Sequence, residues 1–253
     1  MLLPKILAAG GLLFAFENST IAGKIVLALL AVVSIFSWSI MITKLRVVQF
    51  ARKQTARFRA AFRKDRQPLR LFENHAKFPG APLFNVYRAG CEEMTFQMLG
   101  SAEVDETFRD RMSHADKVTP AQMSAVDAAM ERAVGETALQ LESQMILLAS
   151  AVSGAPFLGL LGTVWGVMDT FTDVAIAGSP NMAAMAPGVS GALITTVTSL
   201  LVAIPAMFGY NFLVTTIRGL IVEMDNFAAE LSSEFQHKYV DHTLQAAAFQ
   251  TVE

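Results

Sequence analysis

Pro156-Phe-Leu-Gly-Leu-Leu-Gly-Thr-Val-Trp-Gly166 sits in a stretch, Ser143 to Ile217, whose only charged residues are Asp169 and Asp173. A helix needs about 20 apolar residues to cross a hydrocarbon core of roughly 30 Å. Ser143–Met168 and Pro187–Phe212 are both long enough, and towards the N-terminus Ile25–Thr43 supplies a third such segment. Lipid offers no partner to an open backbone, so each segment must be helical. The expected fold is an all-α integral membrane protein with transmembrane helices at 21–43, 143–170 and 187–212 and long cytoplasmic helical extensions.

Composition agrees with that placement. The 253 residues are 53% hydrophobic and 17% charged, with a mean hydropathy of +0.43, which fits a membrane protein better than a water-soluble domain. One domain over 1–253 is expected. The net charge of −2 hides an asymmetry, because 16 of the 20 Lys and Arg lie between Lys44 and Arg132. Lys44, Arg46, Arg52, Lys53 and Arg57 crowd the exit of the first span, whereas the segment 171–186 has no basic residue. The positive-inside rule then puts the N-terminus outside, the loop 171–186 in the periplasm and the C-terminus in the cytoplasm. Cys91 stands alone, so no intrachain disulfide forms, and the four scattered His show no ligand spacing. No metal or cofactor is expected.

Residues 1–20 read as a periplasmic segment with an interfacial helix at Pro4–Phe16. A signal peptide fits less well, since Lys5 is a weak basic region and Glu17-Asn-Ser-Thr offers no small-residue cleavage site. The region 44–142 is expected to be cytoplasmic and helical. Its basic part, Lys44–Arg70, reads as a helix near anionic headgroups; it carries no nucleic-acid-binding signature. Gln67–Gly100, with Pro68, Pro79, Gly80 and Pro82, reads as a turn-rich connection. Thr119-Pro-Ala-Gln122 has a Thr N-cap, Pro at the first helical position and Gln at the third, a capping box. No strong breaker follows until Pro156, which predicts one rod of about 50 residues from there through the second span. Within 213–253, Ile217, Leu220, Ile221, Met224, Phe227, Leu231 and Phe235 repeat at helical intervals, and Thr243–Glu253 reads as a loose tail.

On the second span, Gly159, Thr163, Gly166 and Thr170 fall on one face with Pro156 beside them. On the third, Ala192, Thr196, Ser199, Ala203 and Ala206 recur at intervals of four, three, four and three. Gly162-x-x-x-Gly166 is a small-residue packing motif, and such seams serve close helix contact without any further function. The hydroxyls add something: Thr163, Thr195, Thr196, Thr198 and Ser199 cluster at comparable depth, and repeated by oligomerisation they would line a polar path. The spans hold no titrating residue in their interiors, and proton relays in membranes use one. If ions cross here, a partner must supply it. Asp169 and Asp173 would stand at the outer mouth.

The sequence resembles the TolQ, ExbB and MotA proton-channel subunits, and the TolQ and ExbB branch best. The matching stretches are Ala155 to Met168, Met185-Ala-Pro-Gly-Val189 with Ala192-Leu-Ile194, and Ala203-Ile-Pro-Ala206 through Tyr210-Asn211; Ser37-Trp38 and Asp225-Asn-Phe227 add to them. The resemblance implies a three-span inner-membrane subunit forming a pentamer around a dimer of a single-span TolR/ExbD-type protein that carries a membrane Asp. A TolA/TonB-type protein would receive the work drawn from the proton motive force. By motif position Thr163 and Thr196 match the family's pore threonines, with Thr195, Ser199 and Thr170 nearby. Gly159, Gly162, Gly166, Ala192 and Ala203 would pack helices or meet the partner, and Pro156 and Pro205 would kink them. The family's Glu at the start of the third span is replaced by Gly191 here. H⁺ and Na⁺ both remain open as the ion, as does the Tol-type or Ton-type process. The competing readings are a structural membrane scaffold and, more remotely, an intramembrane enzyme, which the apolar segments Ile25–Thr43, Ser143–Met168 and Pro187–Phe212 leave without His, Glu, Cys or Lys.

Overall fold

The computed structural model describes residues 16, 17, 19–64, 67–105, 107–178 and 182–241. The expected interfacial helix at Pro4–Phe16, apart from Phe16, and the expected tail at Thr243–Glu253 lie outside the described residues. Among the described residues the helices run in the order α1 Ile21–Phe62, α2 Arg70–Glu73, α3 Pro82–Leu99, α4 Phe108–His114, α5 Pro120–Glu142, α6 Met145–Ala177 and α7 Met182–Tyr239. Among the described residues there is no strand, only an isolated parallel bridge between Val118 and Val240. The fold is all-α, and α1, α5 with α6, and α7 each contain a window long and apolar enough to cross a membrane.

Helix α1 begins where Thr20 Oγ1 accepts the Gly23 N–H at 3.2 Å, an N-cap bond. No Gly or Pro occurs from Lys24 to Gln67, and the helix accordingly runs unbroken for 42 residues. This changes the reading of Lys44–Arg70: the basic stretch to Phe62 continues the first span's helix, and Val48, Ala51, Phe58 and Phe62 on it are buried. The segment Gln67–Gly100 is likewise more regular than expected. Pro82 at the first helical position starts the 18-residue α3, which Gly100 closes in the left-handed region at φ 74°.

The capping box forms as read, with Gln122 N–H donating to Thr119 Oγ1 and Thr119 N–H donating to Gln122 Oε1 at 2.8 Å. The single rod does not. Ser143 turns its hydroxyl back to the Gln140 carbonyl at 2.8 Å, and Gln144 takes φ 65°, so α5 ends and α6 begins anew at Met145. Beyond the second span the helix outlasts its expected end at 170. It continues to Ala177, leaving Asp169 and Asp173 helical, and α7 starts at Met182, inside the expected loop 171–186. Pro156 lies within α6 and Pro187 and Pro205 within α7, none of them ending its helix.

The described residues form two compact units. The first joins the chain up to Lys44 with Gln144–Leu213; the second joins Leu45–Ser143 with Val214 onward. In the first, Val26, Leu30, Ala155 and Ala203 form a small-residue core with Leu158 and Val202 against it, while Leu27 meets Ile194. Its outer faces show Ile25, Leu29, Phe36, Phe157, Leu201 and Phe208, as a lipid-facing bundle requires. The second unit has an aromatic core. Phe58 meets Phe62, Phe78, Phe84, Tyr87 and Phe227 at centroid distances of 5.3 to 5.9 Å, edge-on or tilted as ring quadrupoles prefer. The predicted amphipathic run supplies Ile217, Leu220, Met224, Phe227, Leu231 and Phe235 to this core, and Arg59 pairs with Glu223 at 2.9 Å.

Candidate functional site: the hydroxyl seam between α6 and α7

Helices α6 and α7 run past each other in an antiparallel register that the glycines define. A Cβ built on Gly162 would stand 2.8 Å from Thr195 Oγ1, and one on Gly166 2.8 Å from Ala192 Cβ. The same test sets Gly159 against Ser199 and Gly188 against Thr170. Each contact thus opposes a glycine on one helix to a hydroxyl or alanine on the other. The absence of a Cβ lets the backbones approach, as small-residue seams do in lipid.

Into this seam three hydroxyls converge on one backbone carbonyl. Gly159 O lies 3.0 Å from Thr163 Oγ1, 3.0 Å from Thr195 Oγ1 and 3.3 Å from Thr196 Oγ1. Thr163 Oγ1 is also 3.3 Å from Thr195 Oγ1 and in direct hydrogen-bond contact with Thr196 Oγ1. Each hydroxyl has a single proton. Thr195 Oγ1 lies 2.7 Å from the Ala192 carbonyl, so one consistent set has Thr195 donating there, Thr163 to Gly159 O and Thr196 to Thr163. Because hydroxyl protons rotate, the same oxygens support other sets, and the donors and acceptors can exchange without moving a heavy atom.

The sequence residues divide by burial. Thr195 and Ser199 are fully enclosed, Thr170 is buried with its hydroxyl donated to Gly166 O at 2.8 Å, and Ala192 and Ala203 are buried as well. Thr163 and Thr196 are half-buried at the seam's edge. The buried line on α6 is Ala155, Gly159, Gly162, Gly166 and Thr170, so Gly162 occupies the contact line and Thr163 flanks it. Sequence reasoning had not paired Gly188 with Thr170 or given Ser19 a part. The Ser19 hydroxyl donates to the Gly191 carbonyl at 3.0 Å. Spacing on α6 alone could not announce either partner, though Gly188 continues the small-residue interval from Ala192.

Elsewhere in the first unit Ser37 is 5% exposed and its hydroxyl lacks a partner. It borders an apolar groove of about 400 Å³ between α1 and α6. Among the described residues no group of His, Cys, Asp and Glu is arranged to hold a metal ion. In the second unit Cys91 is enclosed, and burial pushes its thiol and the neighbouring Tyr87 phenol well above their ordinary ranges.

Three long apolar helices with a charge-free, hydroxyl-bearing seam define a polytopic membrane protein whose polar groups are kept for the contact between two spans. Residues 100–226 match the MotA/TolQ/ExbB proton channel family. The biopolymer transport protein ExbB of Xanthomonas campestris is 42% identical over 110 residues, 44% of each chain. The protein of the same name from Pseudomonas putida is 29% identical over 216 residues, covering 85% of this chain and 60% of that one. The Tol-Pal system protein TolQ of Pseudomonas aeruginosa is 28% identical over 225 residues, covering 88% and 91%. The chain therefore belongs to the MotA/TolQ/ExbB family, on its TolQ/ExbB branch, although it matches less than two thirds of the length of these ExbB relatives.

Proposed function

We propose that this chain is the channel-forming subunit of a proton-driven motor in the bacterial inner membrane, with its N-terminus in the periplasm and its C-terminus in the cytoplasm. Copies assemble as a pentamer around a dimer of a TolR/ExbD-type single-span protein. The proton motive force drives rearrangement of that partner, and work passes to the periplasm or outer membrane, through a TolA/TonB-type protein where one is present. The seam supports this reading: Thr163 and Thr196 are hydrogen-bonded to each other and half-buried at its edge, in spans whose carboxylates, Asp169 and Asp173, lie only towards the end of α6. A hydroxyl pair of this kind solvates a proton on water or on an incoming Asp and is not itself titratable. One charge crossing 100 mV releases about 2.3 kcal/mol, enough to bias a mechanical step.

The test is co-expression with a single-span protein carrying a membrane Asp, followed by native mass measurement. A complex of five chains with two partners is expected. Recovery of this chain only as a free oligomer, with the partner expressed and membrane-inserted, would refute the assembly. The glycine–hydroxyl register favours a second reading, a membrane scaffold in which hydroxyls serve packing alone. That reading predicts tolerance of Thr163→Val with intolerance of Gly162→Leu.

A further inference from the structure

The second unit carries a pocket, next to the ends of two apolar segments, that the channel reading does not use. Its volume is about 370 Å³. Arg46, Val47 and Phe50 of α1 line it together with Asn85 of α3 and with Thr137 and Leu141 of α5. Arg46 stands just beyond Thr43, where the first apolar segment ends, and Leu141 just before Ser143, where the second begins. At 1.5 Å per residue these positions lie about 5 Å and about 3 Å from the hydrocarbon, inside a headgroup layer of roughly 5–8 Å on each side of the membrane. Thr137, about 9 Å from Ser143 on the same scale, reaches the far edge of that layer.

The pocket has charge and a donor to spare. Arg46 is exposed, and among the described residues its guanidinium forms no ion pair. No acid lines the pocket, so its formal balance is +1. Thr137 is 6% exposed and accepts the Asn85 amide at 3.5 Å, a long contact. No described residue takes the proton of the Thr137 hydroxyl. An enclosed donor without an acceptor costs free energy until one is supplied.

The apolar part of the lining is placed for a lipid. Gly80 takes φ 74°, and a Cβ there would stand 2.7 Å from Phe50 Cε1, so the ring closes over a bare backbone. Ala51 and Leu141 are buried, while Val47 and Phe50 keep about half their surface exposed beside Arg46. Half-exposed apolar groups next to a cation at this depth meet a molecule that is itself part apolar and part anionic.

We propose that this pocket binds the headgroup of one anionic phospholipid, of the phosphatidylglycerol type, from the leaflet on the second unit's side. The Arg46 fork meets the phosphate diester. The Thr137 hydroxyl donates to a headgroup oxygen, and Val47 and Phe50 lie against the glycerol and the first acyl carbons. Basic sites at a membrane surface select anionic lipids in this way, and the single negative charge of this lipid complements the pocket. An ethanolamine or choline headgroup brings an ammonium that no carboxylate in the lining can receive.

Native mass measurement of the detergent-solubilised full-length chain tests the site, with phosphatidylglycerol titrated in one arm and phosphatidylethanolamine of the same acyl chains in the other. Saturable retention of one phosphatidylglycerol per chain is expected, about tenfold tighter than phosphatidylethanolamine. Arg46→Gln should weaken phosphatidylglycerol retention about tenfold. Lys53→Gln removes the same charge at an exposed position of the same helix, about 15 Å from Thr43, and should stay within roughly twofold of the parent. Thr137→Val should weaken retention severalfold. Circular dichroism verifies the fold; should Thr137→Val misfold, the exposed Arg46→Gln carries the test alone. Equal retention of the two lipids, parental retention by Arg46→Gln or by folded Thr137→Val, or an equal loss in Lys53→Gln would overturn the proposal.

Discussion

Gly162 shows what single residues do in this molecule. An added methyl there would meet Thr195 Oγ1 at 2.8 Å and Thr195 Cβ at 2.9 Å, and Thr195 is fully enclosed. Gly162→Ala should therefore force α6 and α7 apart and cost about 1–3 kcal/mol, seen as a lower unfolding temperature of the detergent-solubilised protein. Thr163→Val and Thr196→Val differ in kind, since each removes a hydroxyl at the half-buried edge and keeps the volume. Both should leave folding intact while abolishing ion-coupled work. In the second unit, Cys91 should resist a maleimide in the native protein and react on denaturation, because an enclosed thiol is neither ionised nor reachable. Rapid native labelling would contradict the aromatic core around it. Glu234 gives a pH effect of definite sign. Burial first, and Glu230 second, raise its pKa, with Lys238 opposing. Its folded pKa lies above its unfolded one, so this group destabilises the fold progressively as pH rises from the ordinary carboxylate range through the raised value. Glu234→Gln should flatten that part of the stability profile and raise stability at neutral pH; an unchanged pH profile would contradict it.

At the scale of elements, the capping box sets the start of α5. Thr119→Ala leaves the Gln122 N–H without its acceptor and should cost about 1 kcal/mol in thermal or denaturant unfolding. This start was legible because its signal is chemical and local. The three spans and the run from Ile217 to Phe235 were legible for a similar reason, their apolar residues being long or periodic enough to leave no competing reading. The break at Ser143–Gln144 was not, since the left-handed residue is Gln144 and neither Gly nor Pro marks the place. The basic stretch after Lys44 was legible as a helix but its part in a core was not, because charge advertises a surface while Val48, Ala51 and Phe58 on the same helix fill a core. In the seam, Gly162 lies about 60° to one side of Gly159 and Thr163 about 40° to the other at 100° per residue. Which of them meets α7 depends on how the helices cross, so the residue types of the site were readable and the contact line was not.

For the whole molecule, two units divide the work of one chain. The first spends its polar groups between spans and shows apolar side chains outward, and the second is held by a ring-on-ring core with exposed charges. The seam belongs to the first unit alone, so changes at Thr163 and Thr196 test ion passage without disturbing the aromatic core. The account's central claim is that these two hydroxyls form part of a proton path completed by a partner's carboxylate. Proton flux into liposomes containing this chain with its single-span partner, under an imposed potential, tests it most directly. The account predicts flux in the parent complex and none above background in intact Thr163→Val or Thr196→Val complexes; parental flux in both would contradict it.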